Sequence, residues 1–220
     1  MFEFIIVYIF INIFLISKIM SQKQKSYKIL VLGEIAAGKT CLIIRYTNGN
    51  FKEDSISTIG VDVKSKDVTV NKVKYKFNIW DTAGQEKFYS IGKTYYNGVN
   101  GIVIAFDLSE EGAIKKLNGW LSKLKENIDS TVIPIVIAGT KCDLKNIQIK
   151  KEAINVIASL HKSKYFETSA KNNINVDEAF QYLAEEIIRR KREDNEEDNN
   201  TISDLNAAKT NNKKEGKCCH

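Results

Sequence analysis

Short apolar runs alternate with helix-like stretches between residues 27 and 192. Three of these runs are rich in β-branched residues and are bounded by glycine or polar loops, at residues 29–32, 101–106 and 132–138. Such runs are typical of central strands that are buried on both faces of a sheet. The alternation predicts an α/β fold with a largely parallel sheet, in which helices supply the crossovers.

The remaining elements follow from the period of the apolar positions. Residues 61–70 and 73–80 alternate apolar and polar side chains on either side of the Asn71-Lys72 turn, which predicts an antiparallel hairpin at one edge of the sheet. Apolar residues at three- and four-residue spacing predict helices at residues 39–46, 113–128, 151–161 and 176–192. A further short strand is expected at residues 164–166.

Both ends of the chain differ from this central region, which we expect to form one domain over residues 27–192. Residues 1–26 form an apolar and then polar extension, whose apolar run at 4–16 is shorter than the roughly 20 residues of a spanning helix. It is either a short membrane anchor or an upstream extension that is not translated, and we favour a start at Met20. Residues 193–220 are polar and charged, which predicts a disordered tail.

Composition limits the possible classes of function. Hydrophobic residues make up 43% of the chain and charged residues 27%, so a buried core is attainable. The net charge of +6 is mild, and the basic run at residues 189–192 is explained by a helix that ends in cations, so we expect no nucleic-acid function. Four cysteines, two of them adjacent at the C-terminus, exclude a secreted disulfide scaffold and a four-cysteine zinc site.

A glycine-rich loop follows the first predicted strand and has the pattern G-x-x-x-x-G-K-[ST]. Backbone N–H groups and the helix N-terminus of such a loop surround phosphate, while the lysine bridges the outer phosphates and the Thr40 hydroxyl binds Mg²⁺. The candidate nucleotide-binding residues of this segment are Gly33, Glu34, Ile35, Ala36, Ala37, Gly38, Lys39, Thr40 and Cys41.

Two later loops indicate which base is bound. Thr140, Lys141 and Asp143 follow a buried strand, and a carboxylate there can accept two hydrogen bonds from the guanine edge, which adenine does not offer. Ser169, Ala170 and Lys171 follow the next short strand, where a backbone N–H can donate to guanine O6. The order of these loops after a phosphate loop predicts a guanine-nucleotide site.

A third segment, Trp80-Asp81-Thr82-Ala83-Gly84-Gln85, follows the second hairpin strand. At such a place Asp81 can bind the Mg²⁺ shell through water, and the Gly84 N–H can approach a γ-phosphate. Gln85 can orient an attacking water, so it is the candidate catalytic residue.

Together these motifs resemble the Rab branch of the Ras superfamily of small GTPases. Five further stretches resemble those that set Rab proteins apart from Ras and Rho relatives: Ile59-Gly60-Val61-Asp62, Lys76-Phe77-Asn78-Ile79-Trp80, Lys87-Phe88-Tyr89-Ser90, Tyr95-Tyr96-Asn97-Gly98 and Phe106-Asp107-Leu108-Ser109. The resemblance implies the P-loop GTPase fold, which has a mostly parallel six-stranded sheet with one antiparallel edge strand and flanking helices. It also implies GTP or GDP with Mg²⁺ as ligands.

The same resemblance assigns further roles. Thr58 would complete the Mg²⁺ shell and sense the γ-phosphate, and Phe51 would pack against the guanine edge. The first switch would include residues 58–63, and the second would run from about Asp81 to Tyr95. The implied activity is a GTP-hydrolysing switch for vesicle trafficking that recruits effectors in its GTP state. Its implied partners are an exchange factor, a GTPase-activating protein, a prenyl chaperone and effectors.

Three positions depart from the Rab pattern. Thr140 replaces the usual Asn, and Val63 replaces an aromatic residue in a partner-facing trio with Trp80 and Tyr95. Ile35 is bulky where many relatives have a small residue, which can obstruct the water-positioning glutamine. The alternative function is therefore a nucleotide-binding module with negligible hydrolysis that acts as a membrane recruitment scaffold. A P-loop phosphotransferase is a third candidate, disfavoured by the guanine-specific loops.

The chain ends in Lys217-Cys218-Cys219-His220, which excludes a C-a-a-X signal. The paired Cys218 and Cys219 resemble the Rab pattern for two geranylgeranyl groups, and two lipid chains anchor a protein stably where one is marginal. We therefore expect residence on the cytoplasmic face of an intracellular membrane, together with a cytosolic pool.

Overall fold

The computed structural model describes residues 25–51, 61–82, 96–128, 132–147 and 149–211, with side chains up to residue 194. Strands and helices alternate along these ranges, which confirms the predicted α/β class. In chain order they are β1 (Ser26–Leu32), α1 (Lys39–Asn48), β2 (Val61–Val70), β3 (Val73–Thr82), β4 (Val99–Asp107), α2 (Ala113–Asn127), β5 (Ile135–Thr140), α3 (Lys151–Leu160), β6 (Lys164–Glu167) and α4 (Val176–Asn211).

The strands form one six-stranded sheet in the order β2-β3-β1-β4-β5-β6. Only β2 and β3 pair antiparallel, through the Asn71-Lys72 turn, so the predicted hairpin lies at one edge of the sheet. The other neighbouring strands are parallel. The fold is therefore the mostly parallel sheet with one antiparallel edge strand that the sequence predicts.

The sheet buries an apolar layer on each face because successive side chains of a strand point to opposite sides. In β1, Ile29 and Val31 join the layer that includes α1 and α4, whereas Leu30 and Leu32 join the layer that includes α2 and α3. Burial on both faces explains the continuous apolar runs of the central strands.

Strand order determines where a ligand can bind. From β1 the chain adds β3 on one side and β4 on the other, and the five parallel strands all end at the same edge of the sheet. The crevice at such a switch point is where open α/β sheets bind ligands. The phosphate loop and the loops after β5 and β6 lie at this edge, and the segment that starts at Trp80 reaches it at the end of β3.

Several strand boundaries differ from the sequence prediction, and those of β3 and β5 bear on the site. β3 continues to Thr82, with Asp81 paired to Asp62 of β2 and to Val31 of β1, so Asp81 lies within the strand rather than after it. β5 begins after Pro134, whose missing N–H cannot join the ladder, and it ends at Thr140. Thr140 is consequently a strand residue with a fixed backbone.

α4 also extends beyond its predicted end. The sequence predicts that this helix ends at Arg192 and that a disordered tail follows, whereas the helix continues to Asn211. Ion pairs at helical spacing cross the expected boundary, because Arg189 pairs with Glu193 and Lys191 with Asp194. Pairs of this kind stabilise a helix by a few tenths of a kcal/mol each.

Candidate functional site

The loop between β1 and α1 approaches its neighbours closely through glycine. Gly33 has a φ of 143°, and a Cβ there would lie 2.0 Å from the carbonyl oxygen of Ala105 in β4. Gly38 has a φ of 79° and directly precedes α1. A side chain at Gly33 would push the loop away from the sheet, so the glycine pattern keeps the backbone N–H groups and the start of α1 at the sheet edge.

Lys39 is buried at the start of α1, with 5% of its surface exposed. Its Nζ donates hydrogen bonds to the carbonyl oxygens of Gly33 at 3.0 Å and Glu34 at 2.7 Å. Burial lowers the pKa of Lys39 to about 8, although the carboxylates of Asp81 and Glu34 counteract the shift. The loop thus holds an ammonium group that lacks full compensation, and anionic oxygens would favour its charged form.

Asp81 is the acidic counterpart of Lys39. It is 1% exposed, and its Oδ1 has no hydrogen-bond partner within the described part of the chain. Burial raises the pKa of Asp81, while a hydrogen bond from the Thr40 hydroxyl and the charge of Lys39 counteract that rise. The next residue, Thr82, fixes this strand end because its hydroxyl donates to the carbonyl oxygen of Val31 at 2.7 Å.

These groups fit a hydrated magnesium ion. An orphaned carboxylate oxygen next to the Thr40 hydroxyl offers hard oxygen ligands, which Mg²⁺ takes together with water and phosphate oxygens. No cluster of three or more His, Cys, Asp or Glu residues able to hold a metal occurs among the described residues. Mg²⁺ is usually held by one or two carboxylates and substrate phosphates rather than by a protein cage.

Thr140 connects the end of β5 to the phosphate loop. Its buried hydroxyl lies 2.8 Å from the carbonyl oxygen of Ala37 and 3.1 Å from that of Phe106, and it has one proton to donate to either oxygen. Thr140 therefore acts on the position of the phosphate loop through a backbone contact. The smaller hydroxyl is sufficient for this bond where an amide could make more than one.

Lys141 follows in the left-handed backbone region, with a φ of 59°. Its Nζ lies 2.6 Å from Oδ2 of Asp107 at the end of β4. The other oxygen of Asp107 accepts hydrogen bonds from the Ser109 N–H at 2.8 Å and the Ser109 hydroxyl at 2.7 Å. Burial alone would raise the pKa of Asp107, but the Lys141 and Ser109 contacts outweigh it and lower that pKa.

Asp143 contacts the loop that follows β6 directly. Its Oδ1 accepts a hydrogen bond from the buried Ser169 hydroxyl at 2.6 Å, and that hydroxyl oxygen accepts another from the Asn172 N–H at 3.0 Å. Ser169 and Ile174 exchange two backbone hydrogen bonds, which close the loop between them. The structure thus brings together the carboxylate and the loop that the sequence could name only as separate motifs.

Three residues of this region were not predicted as site residues. Arg45 in the last turn of α1 donates to the carbonyl oxygens of Ala170 and Lys171, and Asp107 binds Lys141. Trp120 of α2 donates from Nε1 to the Glu34 carboxylate at 3.1 Å. The sequence carries no local signal for Arg45 or Trp120, because a cation in a last turn and an aromatic on an apolar stripe are ordinary features of helices.

The other predicted residues are exposed, are half-buried or lie outside the described ranges. Ile35 is 50% exposed and Val63 is 45% exposed, while Phe51, Cys41, Trp80 and Ala170 are half-buried. Thr58, Gly84, Gln85 and Tyr95 lie outside the described residues, as do Cys218, Cys219 and the apolar run of the N-terminal extension. Within the described ranges, no helix combines the length and the hydropathy that crossing a membrane requires.

Comparison with known proteins gives concordant matches. The model of the Ras family matches residues 28–189. Ras-related protein Rab-13 of Rattus norvegicus is 40% identical over 163 residues, which cover 74% of this chain and 80% of the relative. Ras-related protein Rab-10 of Diplobatis ommata is 39% identical over 166 residues, covering 74% and 82%. Ras-related protein Rab-8B of Pongo abelii is 38% identical over 165 residues, covering 74% and 79%.

Proposed function

Because the chain belongs to the Rab family of small GTPases, we propose that it is a guanine-nucleotide switch that recruits effector proteins to an intracellular membrane in its GTP state. Membership of this family makes the chain a GTPase of vesicle trafficking. The proposal adds the residues that carry the switch, its slow rate of hydrolysis, its partners and its mode of membrane attachment.

One observation carries the proposal. Two buried groups whose charges are only partly compensated and a carboxylate already held by a hydrogen bond all lie at the same edge of the sheet. Lys39 and Asp81 lie at the phosphate loop, and Asp143 lies against Ser169. In the proposed complex, Lys39 binds the outer phosphates and Asp143 accepts hydrogen bonds from guanine N1–H and the 2-amino group. The loop of Ser169, Ala170 and Lys171 donates a backbone N–H to guanine O6.

The proposed magnesium site consists of Thr40, Thr58 and, through water, Asp81. When bound, Mg²⁺ neutralises charge that develops on the phosphate oxygens during hydrolysis. Gln85 is proposed to orient the attacking water, and the Gly84 N–H to contact the γ-phosphate. The Thr40 hydroxyl already bonds to Asp81, so these two residues of the proposed site lie next to each other.

One specific observation favours the alternative of a binding module with negligible hydrolysis. The Ile35 side chain is half exposed in the phosphate loop, where a bulky group can obstruct a water-positioning glutamine or an arginine from a partner. Under this alternative the chain would bind GTP and recruit partners without measurable turnover of its own.

Single-turnover hydrolysis of GTP separates the two candidates. We expect an intrinsic rate on the order of 10⁻⁴ per second or below, the range of unassisted Ras-type turnover. Gln85→Leu should slow the reaction, and Ile35→Gly should accelerate it, with nucleotide affinity measured in parallel as the control. A rate that Gln85→Leu leaves unchanged would contradict the proposed role of this glutamine. Absence of turnover in both wild type and Ile35→Gly would favour the binding module.

Membrane attachment is proposed to depend on geranylgeranyl groups on Cys218 and Cys219. Because one lipid chain gives reversible attachment and two give stable attachment, either single Cys→Ser variant should move partly to the cytosol and the double variant should move there fully. Fractionation of cells that express the chain from Met20 measures this ordering. A double variant that stays in the membrane fraction would exclude the proposed anchor.

A further inference from the structure

Arg45 joins the end of α1 to the loop that follows β6. Its Nε donates to the carbonyl oxygen of Ala170 at 2.6 Å, and a second guanidinium nitrogen donates to that of Lys171 at 3.1 Å. A third nitrogen donates to the carbonyl oxygen of Gly49, directly after α1, at 2.5 Å. The planar guanidinium therefore spans two segments that are 125 residues apart in sequence.

These contacts fix the direction of the loop's peptide groups. In a planar trans peptide the C=O and the following N–H point in opposite directions, so a bond to the Ala170 carbonyl also aims the Lys171 N–H away from α1. The preceding peptide is fixed from the other side, because the Ser169 carbonyl accepts a hydrogen bond from the Ile174 N–H. Arg45 and Ile174 thus hold consecutive peptide groups of one loop.

Arg45 also connects the two halves of the proposed nucleotide site. α1 begins at Lys39, beside the phosphate loop, and Arg45 lies in its last turn. A helix of ten residues is stiff on this length scale, so the base loop is held at a set distance from the phosphate loop. Asp143 holds the same loop through a separate contact, the hydrogen bond that it accepts from the Ser169 hydroxyl.

We propose that Arg45 is a positioning residue for base recognition, which holds the loop of Ser169, Ala170 and Lys171 so that its backbone N–H groups meet guanine O6. The inference rests on the proposed binding of guanine nucleotide. It requires the divergent nitrogens of an arginine, because a lysine donates from one nitrogen and cannot reproduce contacts that three separate nitrogens make.

The test measures dissociation constants, in the presence of Mg²⁺, for three diphosphates that differ at the base edge. GDP has O6, N1–H and the 2-amino group, inosine diphosphate lacks the 2-amino group, and the diphosphate of 2-aminopurine riboside lacks O6 together with the N1–H donor. The proteins are wild type, Arg45→Met, Arg45→Lys and the control Arg189→Met, which removes an exposed arginine paired with Glu186 on α4.

We expect Arg45→Met to weaken GDP binding about tenfold, the scale of one hydrogen bond to a charged group. In Arg45→Met, the ratio of the dissociation constants for the 2-aminopurine nucleotide and GDP should shrink by the same factor. The ratio for inosine diphosphate and GDP should stay at its wild-type value. Arg45→Lys should behave like Arg45→Met, and Arg189→Met like wild type. The unfolding temperature of each variant checks the fold, since two of the three Arg45 contacts are exposed to water.

The outcomes separate this inference from the function on which it rests. An equal loss for all three nucleotides, or no loss, would overturn the positioning role of Arg45, as would full recovery in Arg45→Lys. A wild-type protein that binds ADP as tightly as GDP would instead contradict the proposed guanine site.

Discussion

The two halves of the proposed nucleotide site satisfy their polar groups in different ways. On the phosphate side, formed by the phosphate loop with Lys39, Thr40 and Asp81, burial lowers the pKa of Lys39 and raises that of Asp81, and one Asp81 oxygen has no partner among the described residues. On the base side, formed by the loops after β5 and β6, the Asp143 carboxylate and the Ala170 carbonyl both accept protein hydrogen bonds.

This difference shows how binding energy can be divided within one site. Charges on the phosphate side are destabilised by burial, so a ligand that supplies phosphate oxygens and a cation relieves a cost already present in the fold. The base side is already held in position, so it contributes selectivity through groups that need little rearrangement. We therefore expect substitutions on the phosphate side to weaken all nucleotides and those on the base side to act on base choice.

The largest expected effect is that of Lys39→Ala. Truncation of one partner of a desolvated charge pair costs about 2–5 kcal/mol, so the dissociation constant for GDP should rise by more than an order of magnitude. The ratio of GDP to ADP affinity should stay at its wild-type value, because the base side is intact. Calorimetric titration with both nucleotides measures the two effects. Wild-type GDP affinity in Lys39→Ala would contradict the claim that the phosphate side strengthens the binding of all nucleotides.

Asp143→Ala should have a large effect of a different kind. A base whose donors lose a charged carboxylate partner binds less tightly by about 2–4 kcal/mol, whereas a base without those donors loses little. GTP affinity should therefore fall and ATP affinity should change only slightly. Parallel titration with the two triphosphates gives the answer, and an equal loss for both would show that Asp143 does not contact the base.

Thr40→Asn addresses the metal within the phosphate side. Replacement of a hydroxyl that both bonds to Asp81 and is proposed to bind Mg²⁺ should raise the Mg²⁺ concentration needed for GTP binding by about 10–100-fold. Thr40→Ser keeps the hydroxyl and is the matched control, with a requirement close to wild type. GTP affinity measured across a Mg²⁺ series tests this, and a normal requirement in Thr40→Asn would exclude the metal role.

The smallest expected effect is a dependence on pH. The pKa of Lys39 in the free protein is about 8, below its ordinary 10.5, so the stability of the free fold should rise with pH between these values. Phosphate binding favours the ammonium form, so nucleotide affinity should instead fall above pH 8, by at most about tenfold per pH unit.

Lys39→Arg is the control for this effect, because its guanidinium stays charged throughout that range. Comparison with Lys39→Arg also corrects for the titration of guanine, because the base loses its own proton at higher pH in both proteins and this lowers both affinities equally. Affinity measured between pH 7 and pH 9 should fall less in Lys39→Arg than in wild type, and parallel curves would contradict the buried position of the ammonium group.

The sequence predicts the fold well because its information is local, and the residues proposed for the phosphate side can be named from the sequence for the same reason. The glycines, Lys39 and Thr40 lie within one short segment, and the strand runs report burial directly. The contact between Asp143 and Ser169 depends on the β5–β6 neighbourhood, and the Arg45 contacts depend on how α1 packs, neither of which has a local pattern. The sequence predicts too early an end for α4 because polar composition suggests disorder, whereas ion pairs at helical spacing cross the predicted end and the helix continues to Asn211.

The identity of the nucleotide that the protein carries tests the central claim most directly. Protein purified from cells in the presence of Mg²⁺ is denatured, and the released nucleotide is separated by ion-exchange chromatography and identified by mass. A base side built for guanine predicts GDP, with some GTP, in amounts close to one per chain. Recovery of ADP or ATP in similar amounts would contradict the guanine site, and with it the division of roles between the two sides.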